Sequence, residues 1–140
     1  ANQDNSSAAS VAKGGYILED SNGTPDLILI GTGTELELCT KAAAQLRAEG
    51  RNVRVVSMPC VELFEEQDAA YRESVLPGSV GARVSVEAGL SLGWSKYVGP
   101  KGQSVSIEHF GASADYKTLF REFGITTEAV IAAARKALNN

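Results

Sequence analysis

The chain has 140 residues, 44% of them hydrophobic and 21% charged, a globular composition on a length that suits one core and leaves too little for two. Thirteen Lys and Arg against seventeen Asp and Glu give a formal charge of -4, and without a basic run this argues against nucleic acid and anionic membrane as partners. No apolar stretch approaches the ~20 residues that a bilayer-spanning helix needs, and no charged start followed by an apolar block marks a signal peptide.

Residues 1–12 are rich in Ala, Ser, Asn, Asp and Gln and carry almost no bulky apolar side chain. They cannot offset the entropy of being ordered, so they read as a linker or disordered lead to a domain spanning 13–140. From Gly15 onward, short segments rich in Val, Ile and Leu at 16–18, 27–30, 53–56, 82–86 and 105–107 predict strands. Between them, residues 35–49 carry apolar positions at Leu38 or Cys39, Ala42, Ala43 and Leu46, the stripe of an amphipathic helix closed by Gly50. Thr34 and Glu37 form a capping-box pair at its start. Residues 67–75 predict a second helix stopped by Pro77 and Gly78. A third, from 113 or 114 to 122, turns Tyr116, Leu119, Phe120 and Phe123 inward, with Ser113 as its cap. The last runs over 127–138, capped by Thr126, with Glu128 at its positive end and Arg135 and Lys136 at its negative end. Val130, Ala133, Ala134 and Ala137 share its inner face.

Strands alternating with helices predict an α/β fold, a three-layer α/β/α sandwich around a five-stranded, mostly parallel sheet. Only residues 21–26, with Asn22-Gly23 and Pro25, separate the first two strands, too few for a helical crossover. The first strand is therefore expected to run antiparallel to the rest, and adjacency in sequence makes the second strand its natural partner.

Ligands of open α/β sheets sit outside the carboxyl ends of the strands, which directs attention to Gly31, Thr32, Gly33, Thr34, Glu87 and His109 as a candidate anion-binding or interface region. Gly31-Thr32-Gly33-Thr34 joins a strand to a helix and resembles half of a dinucleotide fingerprint. Leu36 stands at the third glycine position, Ser57 rather than an acid ends the next strand, and no Gly-Lys-Ser/Thr follows, so a tight turn is the plainer reading. A regulatory anion- or nucleotide-binding module at this edge is one functional class to weigh. A Cys/His hydrolase using Cys60 and His109, with Glu87 nearby, is another, but Pro59 before the thiol and Val61 and Glu62 after it do not make a nucleophile elbow. His109 is the sole histidine, which excludes any site built on several imidazoles. The cysteines, Cys39 and Cys60, have neither zinc nor redox spacing and are expected to be reduced thiols of a cytoplasmic protein. Trp94, Tyr97, Phe110 and Phe123 suit packing or an interface with another domain or subunit.

Longer runs of wording carry more. Lys13-Gly14-Gly15-Tyr16-Ile17-Leu18, Pro25-Asp26-Leu27-Ile28-Leu29-Ile30-Gly31-Thr32-Gly33-Thr34-Glu35 and Val53-Arg54-Val55-Val56-Ser57-Met58-Pro59 closely resemble the carboxyl-terminal domain of transketolases. So do Tyr71-Arg72-Glu73-Ser74-Val75-Leu76-Pro77, Ala82-Arg83-Val84-Ser85-Val86-Glu87-Ala88-Gly89, Trp94-Ser95-Lys96-Tyr97-Val98-Gly99 and Phe110-Gly111-Ala112-Ser113-Ala114. The resemblance extends over about residues 13–138. It departs at Asp115, where the family usually has Pro, and at Cys60, where Ser is common. It implies that the antiparallel strand lies beside the third strand. It also implies a homodimeric transferase that moves a two-carbon ketol unit between sugar phosphates using thiamine diphosphate and a divalent metal, magnesium or calcium. In that family the cofactor, the metal and the catalytic groups belong to upstream domains. None maps onto positions 1–140, so no catalytic, cofactor-binding or metal residue is assigned here, and packing and dimer association are the expected role of this domain.

Overall fold

The computed structural model describes residues 12–33, 35–87, 103–106 and 126–139, with Glu87 and residues 103–106 described by backbone alone. Every residue of β2 (Leu27–Gly31) and β3 (Val53–Ser57) is buried, as parallel strands covered on both faces must be. With β1 (Tyr16–Glu19), β4 (Arg83–Glu87) and β5 (Gln103–Ser106) they form a five-stranded sheet in the order β1-β3-β2-β4-β5. β2 lies parallel to β3 and β4, and β4 parallel to β5. β1 alone runs antiparallel, paired with β3 from Tyr16 opposite Ser57, with a register shift between Ile17 and Glu19. The expected mixed sheet is present, and the partner of its first strand is the one implied by the family resemblance, not the sequence neighbour.

Charge contacts hold β1 on that side. Arg47 donates to the Glu19 carboxylate at 2.8 Å and to the Val53 carbonyl at 2.8 Å, and Arg54 Nε donates to Asp20 at 2.8 Å. Asp26 and Asn52 exchange two bonds where β2 and β3 begin, at 2.8 and 3.0 Å.

Alternation along β2 divides the core. Leu27 and Leu29 join Val53, Val55, Val84 and Val86 under α1 (Glu35–Ala48) and α4 (Thr127–Leu138). Ile28 and Ile30 join Val56, Met58, Phe64, Val75, Leu76 and Val80 on the opposite face, which α2 (Val61–Glu65) and α3 (Ala69–Val75) cover. The result is the expected three layers. α1 buries Cys39, Ala42, Ala43 and Leu46 and ends where Gly50, at φ +94°, lets Arg51 N–H return to the Leu46 carbonyl at 3.1 Å. α4 buries Val130, Ala134 and Ala137, and Thr126 accepts from the Ala129 amide at 3.1 Å.

The second predicted helix begins two residues later than expected, at Ala69, because Asp68 is its cap and accepts from the Tyr71 amide at 2.8 Å. α2 was not predicted, since five residues are too few to show a helical period; Phe64 is its one buried side chain. The last strand is β5 at Gln103–Ser106 rather than 105–107. Two arginines of the sheet close the exit from α3. Arg54 Nη1 donates to the Ser74 and Val75 carbonyls at 2.9 and 3.0 Å. Arg83 reaches the Leu76, Pro77 and Val80 carbonyls at 3.2, 2.7 and 3.0 Å. The predicted helix from 113 or 114 to 122 and all of the 1–12 lead except Ala12 fall outside the described residues, as do Trp94, Tyr97, Phe110 and Phe123.

Candidate functional site at the carboxyl edge of the sheet

Parallel pairing brings the ends of β2, β3 and β4 to one edge. Gly31 is opposite both Ser57 and Val86, and Glu87 is the next residue along. Thr32 and Gly33 follow in the turn, so Gly31, Thr32, Gly33 and the backbone of Glu87 do meet at this edge; Thr34, His109 and the Glu87 side chain lie outside what the structure describes.

The turn is built for packing. A Cβ on Gly31 would lie 2.9 Å from the buried Cys39 Sγ, so the glycine lets α1 approach β2. Gly33 occupies the left-handed region at φ +57°, where glycine alone is unstrained. The Glu35 and Leu36 amides donate to the Thr32 and Gly33 carbonyls at 3.1 and 3.2 Å. These are two of the donors that an anion at this helix start would need. Glu35, buried, and Glu37 supply carboxylates to the first turn, complementing the positive helix end from within the chain. Glu37 is itself paired with Lys41 one turn on, at 3.1 Å. Among the described residues no group of three or more His, Cys, Asp or Glu is placed to hold a metal ion.

The thiols occupy different surroundings. Cys39 is fully buried, and burial, reinforced by the charge of Glu35, pushes its thiol well above the ordinary range. Cys60 is partly buried, and its Sγ donates to Glu62 at 3.5 Å.

The same edge receives the chain, a feature sequence reasoning missed. Gly14, at φ +83°, is so closely packed that a Cβ would lie 2.3 Å from the Cys60 carbonyl oxygen and 2.4 Å from the Phe64 nitrogen. Cys60 N–H donates to the Gly14 carbonyl at 3.0 Å. Tyr71 Oη, from α3, donates to the Gly15 carbonyl at 2.7 Å, and Lys13 Nζ stands 4.5 Å from the Tyr71 ring centroid. The Gly14-Gly15 pair was the visible signal, because adjacent glycines before a strand mark a close backbone approach.

Architecture and edge together define a mixed, doubly covered α/β domain whose glycine-rich turn serves packing. Residues 14–126 match the transketolase-like TK C-terminal domain. The chain is 58% identical over 130 residues to transketolase 7 of Craterostigma plantagineum, covering 90% of this chain and 19% of that protein. It is 56% identical over 130 residues to transketolase 1 of Vibrio vulnificus, covering 93% of this chain and 20% of that one. Among solved structures, transketolase from Leishmania mexicana superposes with a TM-score of 0.86 at 41% identity, over 98% of this chain and 20% of that one. The chain belongs to the transketolase C-terminal domain family, and it spans about a fifth of the length of these relatives. No helix among the described residues is long and apolar enough to cross a membrane.

Proposed function

We propose that this chain is the third domain of a transketolase, with residues 13–140 as the folded unit and 1–12 as the connection from the domains before it. The full-length enzyme transfers a two-carbon ketol unit between sugar phosphates of the pentose phosphate pathway. It does so as a cytoplasmic homodimer that holds thiamine diphosphate and a divalent metal, and this domain contributes packing and subunit association. One observation supports the reading above others: similarity runs along nearly the whole chain yet accounts for only 19% of the Craterostigma plantagineum protein.

The test pairs two proteins. The full-length parent is expected to exchange ketol units in the presence of thiamine diphosphate and magnesium, whereas calorimetric titration of the 140-residue chain with the same cofactor and metal gives no micromolar binding. Ketol exchange by the isolated chain, or its absence from the full-length parent, overturns the reading.

A further inference from the structure

We infer that Tyr71 and the turn from Cys60 to Phe64 form a docking slot for the segment at residues 13–15, and that this slot fixes the direction in which the preceding polypeptide leaves the domain. The inference rests on the reading above that other domains precede this one; the contacts are independent of it.

A strand that merely begins a sheet needs no lock before its first residue, yet here three consecutive residues are held before or at the start of β1. The Gly14 carbonyl accepts from Cys60 N–H at 3.0 Å and the Gly15 carbonyl accepts from Tyr71 Oη at 2.7 Å. Lys13 places its ammonium over the Tyr71 ring at 4.5 Å to the centroid, within cation–π range. Neither glycine tolerates a side chain. The nearest atoms to a Cβ on Gly14 are backbone, and those to a Cβ on Gly15 are Met58 Sδ at 2.6 Å and Phe64 Cδ1 at 2.7 Å. Because Tyr16 pairs with Ser57 at the carboxyl end of β3, the locked segment lies at the carboxyl edge and not at the far end of the sheet. Lys13 therefore stands at that edge, and the carbonyls of the two residues after it, Gly14 and Gly15, are bonded to this domain. Tyr71, on α3, is 56 residues from Gly15 in sequence, so the lock joins the segment to a helix that the second core cluster holds rigid.

Trypsin recognises the Lys13-Gly14 bond, which joins an exposed lysine to a buried glycine, so the segment must come away from the slot for the bond to be cut. In the full-length protein this bond is expected to be cleaved about tenfold faster in Tyr71→Phe than in wild type, the effect of losing one hydrogen bond on local opening. Tyr71→Ala, which also removes the ring beneath Lys13, is expected to be cleaved faster still, while cleavage after Lys41 within α1 stays at the wild-type rate. Small-angle scattering of full-length Tyr71→Ala is expected to show a larger radius of gyration than wild type. Wild-type cleavage at Lys13 in Tyr71→Phe overturns the inference. So does equal acceleration at Lys41, which makes Tyr71 a general stability residue, or unchanged scattering, which removes the directing role. None of these readouts requires ketol transfer, so an inactive parent would sink the proposed function and leave the slot standing.

Discussion

Arg54 Nη1 donates to the Val75 carbonyl at 3.0 Å, so that a side chain from β3, next to the edge strand β1, closes the last turn of the helix packed above it. Arg54→Ala leaves the carbonyls of Ser74 and Val75 without this donor in a buried place and is expected to lower the unfolding free energy by about 3 kcal/mol, read from urea denaturation. Arg54→Lys recovers only part, because one ammonium cannot reproduce a fork that also reaches Asp20. A loss below about 1 kcal/mol in the alanine variant would show that water replaces the guanidinium.

Gly31 and Cys39 are a packing pair, and their coupling is measurable. Gly31→Ala drives a methyl group to within 2.9 Å of Cys39 Sγ and is expected to cost about 1–3 kcal/mol as overpacking. Adding Cys39→Ala removes the obstructing sulfur, and the double variant should be more stable than the sum of the single changes by about 1 kcal/mol. Additive effects would place the need for glycine elsewhere in the turn.

One thiol of the folded chain should react and the other should not. Cys60 is partly exposed and Cys39 is wholly buried, so Ellman titration is expected to count one fast thiol per native chain and two in guanidinium chloride. Cys60→Ser removes the fast one. Two fast thiols in the native chain would mean that α1 opens readily from the sheet.

Alkaline pH should destabilise the fold through the same buried thiol. Burial, with the charge of Glu35 added, raises Cys39, so the unfolded chain releases this proton first. The contribution is complete below about pH 8.5, where a free thiol stays protonated, and declines as pH rises by at most ~1.4 kcal/mol per unit. Tyr71 is also raised by burial, and acts in the same direction above about pH 10, weakly because it is only partly buried. Unfolding curves of wild type and Cys39→Ala between pH 8 and 10 are expected to show the slope in the first and a flatter profile in the second; parallel profiles would refute the assignment.

Features with a local signature were legible before any coordinates. Ala42, Ala43 and Leu46 repeat at helical spacing, and Thr126 stands one residue before α4, so both helices follow from periodicity and a cap. The doubly buried strands declared themselves as apolar runs. The place of β1 was written less locally: contacts from Arg47 to Glu19 and from Arg54 to Asp20 span 28 and 34 residues, and no spacing rule reports them, so only resemblance indicated β3. At the candidate edge, Gly31 and Gly33 were visible as a turn, but the carbonyls that engage the Glu35 and Leu36 amides were not. Tyr71 belonged to a run that resembled the family, but its bond was not legible, because its partner is a backbone oxygen 56 residues away.

The register shift between Ile17 and Glu19 also bears on how the protein behaves in concentrated solution. An irregular outermost strand twists out of line with any neighbour, and two carboxylates at its end, each claimed by an arginine, make stacking against an identical rim unfavourable. Aggregation by rim-to-rim strand addition is thereby discouraged at β1 in the native state, without help from another subunit.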